Sequence, residues 1–455
     1  MLSTHAMSAL EAAFLGLESR AVPFVHASIL SFDRPIQLDA LRAHVDAALA
    51  DIPRYHERIE RGRFGAAAWT VDADYRIEHH VHAAAVAAPG GARELEDLAA
   101  QLLSGGLPAG HSPWRLWTVN GLAGGRGAVI ALFHHALVDG IAGFRLLEHV
   151  LRGRAAKPAH EGGTPPPEGA ALRELLSWRN VGALTQLLRD GLRPAAQLGI
   201  NPRRTGAARA IASHTVALDA MKQIGRVFEA TANDVVLATV ATALRRFVIR
   251  RGVAPEKLID VRAMVPVSRH AKGASETTGN NVVLLLVRLP LDTPDPVACL
   301  RQIAATTREL KAGHASTGGE LLVALSEVTS PALLTAVLSL ALEMRAFNLI
   351  VTNVPGPAQS LSLLDAKLTR IVPIVNLWPH QSLGIAVASY AGDMTFGIQT
   401  DRAVIPDIDL LLLRDDLAAV FDELLAAVPQ VSSGFDAAAT MTRDLTSARV
   451  PPEAR

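Results

Sequence analysis

Ala128-Val129-Ile130-Ala131-Leu132-Phe133-His134-His135-Ala136-Leu137-Val138-Asp139-Gly140 is the stretch from which the rest of the chain is read. It opens as an unbroken apolar run and changes character at two adjacent histidines. Ala128 to Phe133 has the pattern of a strand buried on both faces. After Asp139, the residues Ile141, Phe144, Leu147 and Val150 recur at helical spacing. Asp139 stands where a helix N-terminus favours an acidic cap. The histidines are therefore expected at the end of a buried strand, in the turn before a helix. Such strand ends often carry functional groups, because rigid backbone fixes them while the adjoining loop leaves room for substrate. Side chains alternate along a strand, so one histidine should face a site and the other the core.

Plainer roles stand beside this one. A histidine at a strand end is most often structural, and an aspartate before a helix is most often only a cap. His135 and Asp139 would share a face on a helix and could then ligate a metal. The strand pattern before them argues against a helix. No second His/Cys/Asp cluster has ligand spacing, so no metal is expected.

A chain of 455 residues exceeds one ordinary core, and two domains are the default. Hydrophobic residues make up 49%, enough for packed interiors. Lys+Arg and Asp+Glu both number 44, so the formal charge is zero. A nucleic-acid binder should carry a basic excess, and none is present. The single cysteine, Cys299, excludes an intrachain disulfide. It lies in a helical pattern without an activating neighbour and reads as a core or surface thiol. Met1 to Met7 has neither a basic n-region nor an apolar h-region, so no signal peptide is expected. The apolar run Pro331 to Leu342 is too short to span a bilayer. The mean hydropathy of +0.24 is high for a soluble chain and fits either a large core or a peripheral membrane habit.

Along the chain, Ser8 caps a short helix, with Glu11 in the capping-box position. Strands are expected over Phe24 to Phe32, as a pair within Trp69 to Val81, and over Trp114 to Val119. Helices are expected over Leu38 to Leu49 and Leu95 to Leu103. Gly121 to Gly127 introduces no helix and reads as a turn between strands, not a phosphate cradle. Arg154 to Gly169 has the composition of an exposed loop, and Asn201 to Gly206 reads as another exposed crossing. The second half restarts with a strand at His214 to Leu218, a helix at Met221 to Glu229 and a long helix from Thr231 to Arg250. Strands follow at Val261 to Ser268, Gly279 to Leu289 and Asn348 to Val354. A helix at Val297 to Leu310, a hairpin over Ser382 to Thr400 and a last helix from Asp407 to Ala427 complete the pattern. The expected division is 1–153 as an N-terminal subdomain, 154–206 as a crossover, 207–430 as a C-terminal subdomain and 431–455 as a flexible tail.

His134-His135-Ala136-Leu137-Val138-Asp139-Gly140 resembles the HHxxxDG motif of CoA-dependent acyltransferases and peptide-synthetase condensation domains. Further stretches narrow the resemblance to the bacterial wax ester synthase/diacylglycerol acyltransferase family. Ser8 to Leu15 resembles its LSxxDxxFL opening, with Glu11 in place of the common aspartate. Trp114 matches the tryptophan of its Pro-Leu-Trp signature, with the proline shifted to Pro113, and is carried over as a packing residue. Asn233 to Ala238 is similar to NDVVLA, Arg262 to Ser268 to RAMVPVS, Gly279-Asn280 to a Gly-Asn element, and Thr352 to Pro357 to TNVPGP. The closing hairpin and helix are also similar, so the resemblance runs from about Ser8 to Leu425.

The resemblance implies a mixed α/β fold, α+β in layers, of the two-domain chloramphenicol-acetyltransferase-like or condensation-domain-like kind, with an active-site tunnel between the domains. It implies transfer of a long-chain acyl group from acyl-CoA, a co-substrate, to a diacylglycerol or a long-chain alcohol, with no cofactor. His135 is the candidate general base, since neutral imidazole has an unperturbed pKa of about 6.5. His134 supports the loop. Asp139 holds it by an ion pair, with Arg262 and Arg269 as candidate partners. Gly140 closes the turn. Asn233, Asp234 and Asn280 are candidate oxyanion or active-site support by analogy, while Asn233-Asp234 also reads as an ordinary helix cap. No G-x-S-x-G elbow is present, which favours direct transfer over an acyl-enzyme. A cytoplasmic protein held peripherally at a membrane or lipid-droplet surface is expected, without nucleic-acid partners. Two alternatives remain at this point: a condensation-type enzyme using a carrier-protein donor, and a non-catalytic lipid-binding protein of the same fold.

Overall fold

The computed structural model describes residues 4–62, 67–137, 146–151, 194–268, 282–312, 335, 338–339, 342–343 and 345–429. The first half contains β1 (Thr4–Ala6), α1 (Ala9–Leu17), β2 (Val25–Phe32), α2 (Leu38–Leu49), β3 (Glu57–Arg61), β4 (Ala67–Val71), β5 (Val81–Ala85), α3 (Ala92–Gly105), β6 (Trp114–Asn120) and β7 (Gly127–His134). The second contains β8 (Arg209–Ala217), α4 (Leu218–Val227), α5 (Ala232–Arg250), β9 (Val261–Ser268), β10 (Val282–Leu289), α6 (Pro296–Ala312) and β11 (Leu349–Val354). It continues with β12 (Ser362–Leu363), β13 (Ala366–Ile374), β14 (Leu383–Tyr390), β15 (Asp393–Asp401) and α7 (Asp407–Ala426).

Two six-stranded sheets form, in the orders β12-β13-β2-β7-β6-β5 and β10-β9-β11-β14-β15-β8, with a small sheet β1-β4-β3 beside them. β7 lies inside the first sheet between antiparallel β2 and β6, and all its residues are buried. That is the environment its unbroken apolar sequence demands. The expected capping box at Ser8 and Glu11 opens α1, with Glu11 N–H on Ser8 Oγ and Ser8 N–H on Glu11 Oε2.

The second sheet has two distinct faces, set by strand alternation. Ala263, Val265, Leu349 and Val351 join Val236, Val240 and Leu244 of α5 in the larger core. Met264 and Ile350 point the other way, into a cluster with Phe14 and Phe24 of the first half.

Three expectations differ from the fold. β13 lies within the span assigned to a C-terminal subdomain, yet it pairs antiparallel with β2 in the first sheet. Leu368 and Ile371 enter one core of that sheet, and Val372 and Ile374 the other. This burial fixes the strand's partner and no local pattern records it. The strand pair within Trp69 to Val81 resolves into β4 and β5, which belong to separate sheets. Asn201 to Gly206 is tied in and is not simply an exposed crossing. Asn201 Nδ2 donates to Asn348 O at 2.8 Å, and Thr205 Oγ1 donates to Gln381 O at 3.2 Å. Most of the expected 154–206 crossover, the tail, the start of the helix after Asp139 and most of Pro331 to Leu342 lie outside the described residues.

A polar strip joins the halves. Glu96 of α3 accepts from Ser213 of β8, and Arg370 of β13 donates to Ser213 Oγ at 2.7 Å and Thr215 Oγ1 at 3.1 Å.

Candidate active site

The turn after β7 is held from both sides. His134 N–H donates to Pro113 O at 3.0 Å, His135 N–H to Phe24 O at 2.7 Å, and Leu137 N–H to His134 O at 2.9 Å. The chain leading into β2 and the chain leading into β6 thus pin the backbone of both histidines.

The two rings have different surroundings, as alternation along a strand requires. His134 pairs in register with Val25 and is buried. Its Nδ1 accepts from Ala136 N–H at 3.1 Å, which places the ring proton on Nε2. Nε2 lies 3.4 Å from Glu18 Oε1, and Glu18 Oε2 accepts from Arg61 Nη2 at 2.6 Å. Burial pushes the Glu18 carboxyl up. The hydrogen bond and charge of His134, together with Arg61, outweigh burial and hold it below its ordinary value.

His135 is half-buried. Its ring packs 4.6 Å from that of Phe14 and stands nearly perpendicular to the ring of His26 at 5.8 Å. Phe14 continues to Phe24 at 5.5 Å and Trp378 at 6.0 Å, and Trp378 to Phe347 at 6.4 Å. The cluster draws on both halves of the chain. His135 therefore borders an apolar seam between them, which suits an acyl chain. Burial, then the charges His135 and His134 would carry, push His26 down to about 3. His26 stays neutral across the working range of a histidine base.

Asp139, Gly140, Asn280 and Arg269 lie outside the described residues. Arg262 makes a bidentate pair with Asp260, at 2.8 and 2.6 Å, among its contacts. Asn233 and Asp234 lie in the first turn of α5, the helix on the sheet face opposite Met264 and Ile350. Asp234 is buried in a capping box. It accepts from Thr231 N–H at 2.8 Å, and its other oxygen accepts from Thr307 Oγ1 at 2.6 Å. Trp114 is 1% exposed, donates from Nε1 to Tyr55 O at 3.0 Å and stacks on His80 at 4.4 Å, a packing role. Cys299 is buried, and burial pushes its thiol up to about 11. Among the described residues no group of three or more His, Cys, Asp or Glu side chains converges as metal ligands would.

Sequence reasoning missed Glu18, Arg61, His26, Phe14 and Trp378 as parts of this site. Two carried a faint signal. Glu18 is an acid directly after an apolar helix, and His26 is the one ionisable residue in a largely apolar strand.

Residues 7–194 match the family described as the wax ester synthase/diacylglycerol acyltransferase catalytic domain, and residues 278–424 match its C-terminal domain. A probable diacylglycerol O-acyltransferase of Mycobacterium tuberculosis (strain ATCC 25618 / H37Rv) is 28% identical over 432 residues, covering 88% of this chain and 92% of the relative. A second probable diacylglycerol O-acyltransferase of that strain is 29% identical, with 88% and 94% covered. The solved wax ester synthase/diacylglycerol acyltransferase from Marinobacter aquaeolei VT8 superposes with a TM-score of 0.67 at 24% identity, covering 92% of this chain and 98% of that one. The first condensation domain of the calcium-dependent antibiotic synthetase superposes with a TM-score of 0.64 at 16% identity, with 93% and 97% covered. These likenesses give the mixed α/β fold expected from the sequence.

Proposed function

The chain belongs to the wax ester synthase/diacylglycerol acyltransferase family, and from that premise we propose that it transfers a long-chain acyl group from acyl-CoA to the hydroxyl of a diacylglycerol or a long-chain alcohol. The observation that carries this reading is the position of His135, a half-buried imidazole bordering an apolar seam between the two halves. His135 takes the hydroxyl proton as the acceptor oxygen attacks the thioester carbonyl. A carbon–oxygen bond forms and a tetrahedral oxyanion results. The intermediate collapses, the carbon–sulfur bond breaks, and protonated His135 returns its proton to the leaving CoA thiolate. His134 holds the turn through Ala136 and Glu18. Asp139 and Gly140 complete the loop in this reading, and Asn233, Asp234 and Asn280 remain candidate supports.

The substrates place the protein at a lipid surface, on a membrane or droplet. Among the described residues no single helix is long and apolar enough to cross a bilayer, so peripheral attachment is the form proposed. The test is release of free CoA thiol from palmitoyl-CoA, with hexadecanol and dioleoylglycerol supplied separately and the ester product identified. Acceptor-dependent release with matching ester supports the reading, and the better acceptor names the product class. Absence of release with either acceptor, alongside binding of the lipids, contradicts it in favour of a lipid-binding role.

A further inference from the structure

His26 is a polar residue of β2 on the same sheet face as Phe133, the face to which alternation assigns His135. The two histidines come from neighbouring strands, since β2 pairs with β7 and His26 stands opposite Phe133. Ring centroids 5.8 Å apart at 83° set the two imidazoles edge to face, so His26 is an immediate neighbour of the proposed base. Nε2 of His26 is sealed from solvent and meets no hydrogen-bonding group among the described residues. A buried polar atom without a partner in a strand packed so closely calls for an explanation in function.

We propose that His26 is a second catalytic imidazole, whose ring N–H donates a hydrogen bond to the carbonyl oxygen as it becomes the oxyanion of the tetrahedral intermediate. The proposal rests on the acyl-transfer reading above and adds the donor that this reading leaves open. A neutral imidazole is the right form for the task. It carries an N–H at any working pH and adds no positive charge beside His135, which must itself become cationic. Burial and the neighbouring charges of His135 and His134 keep His26 in that form. Among the described residues no carboxylate contributes to its environment, in contrast to His134, which faces Glu18. The division of labour follows from the two faces of the strand: His135 moves the proton, His26 holds the oxyanion, and His134 fixes the turn.

The experiment compares wild type, His26→Ala, His26→Phe, His26→Gln and His135→Ala. It measures kcat and KM for palmitoyl-CoA from about pH 5 to about pH 9, with far-UV circular dichroism confirming the fold of each. His26→Ala and His26→Phe should lower kcat by about a hundred- to a thousand-fold, the usual effect of losing one oxyanion donor, with KM nearly unchanged. His26→Gln keeps an N–H and should recover at least about tenfold of that loss. The acid limb of kcat/KM, which His135 sets, should not move in the Gln variant. Full activity of His26→Phe, equal loss in the Gln and Phe variants, a change confined to KM, or a shifted acid limb would each overturn the assignment. Turnover that survives in His135→Ala, or none in wild type, would instead overturn the acyl-transfer reading itself.

Discussion

Glu18→Ala is the most informative change outside the reacting groups, because Glu18 faces His134 from the opposite side of the turn. Its side chain is 22% exposed and that of His134 is 5% exposed. Removing the carboxylate leaves His134 Nε2–H buried with no acceptor, which costs about 1–3 kcal/mol. Arg61 loses a partner as well, but its side chain is 59% exposed, so that pair contributes only about 0–1 kcal/mol. The expected destabilisation is therefore about 2 kcal/mol. The catalytic effect follows from the proton. Without Glu18 only the Ala136 N–H bond to Nδ1 favours the Nε2–H form, against the cost of a buried Nε2–H with no acceptor, so the ring and the turn it shapes are held less firmly. His135 then drifts, and a misplacement of about 1 Å costs on the order of a hundredfold in rate. Glu18→Gln retains a carbonyl oxygen for Nε2–H and should keep most of kcat.

The two variants also separate by pH. The folded pKa of Glu18 lies below its unfolded value, so its stabilisation is present above the unfolded pKa and fades as pH falls through the folded one. Wild type should lose that increment in acid, and Glu18→Gln should lack the dependence. The assay is thermal unfolding from about pH 3 to about pH 7 together with kcat at neutral pH. Wild-type kcat and Tm in Glu18→Ala, or a Gln variant as damaged as the Ala variant, would refute the reasoning.

Three further outcomes are expected. Phe14→Ala opens the seam beneath His135, where Phe14 is 8% exposed, and should cost about 3–5 kcal/mol by denaturant unfolding together with a fall in kcat. Tyr390→Phe removes the hydroxyl that accepts from Leu361 N–H at 2.8 Å and donates to Leu368 O at 3.1 Å. Thermal unfolding should show a loss of about 1–3 kcal/mol, since the hydroxyl ties β14 to β13 and to the chain entering β12. Asp234→Ala strips α5 of its capping box and Thr307 of a buried acceptor, and should lower stability by about 2 kcal/mol in denaturant titration.

Legibility from sequence tracked how local each cause was. α2 and β9 fall on the residues that periodicity marks, because apolar spacing and boundary residues are local properties. The buried strand β7, the turn at the histidines and the opposite facing of the two rings follow from alternation along one strand. What escaped was pairing at long range. β13 contains Lys367, Thr369 and Arg370 and ends through Pro373, so it lacks a clean strand signature. Only the packing of Leu368 and Ile371 against the first core shows where it belongs. Glu18, Arg61 and His26 escaped for the same reason. Their roles depend on β2, α1 and β3 meeting at the end of β7, and no spacing in the chain encodes that meeting. The aromatic seam is likewise divided between Phe14 and Trp378, far apart in sequence.

The central claim is that His135 takes the acceptor's proton. The direct measurement is the pH profile of kcat/KM for palmitoyl-CoA with saturating acceptor, in wild type and His135→Ala, with folding checked by circular dichroism. A single base with a histidine-like pKa should shape the acid limb of wild type, and the variant should lose that limb and about a hundred- to ten-thousand-fold of the rate. A variant that keeps both the rate and the limb would contradict the account.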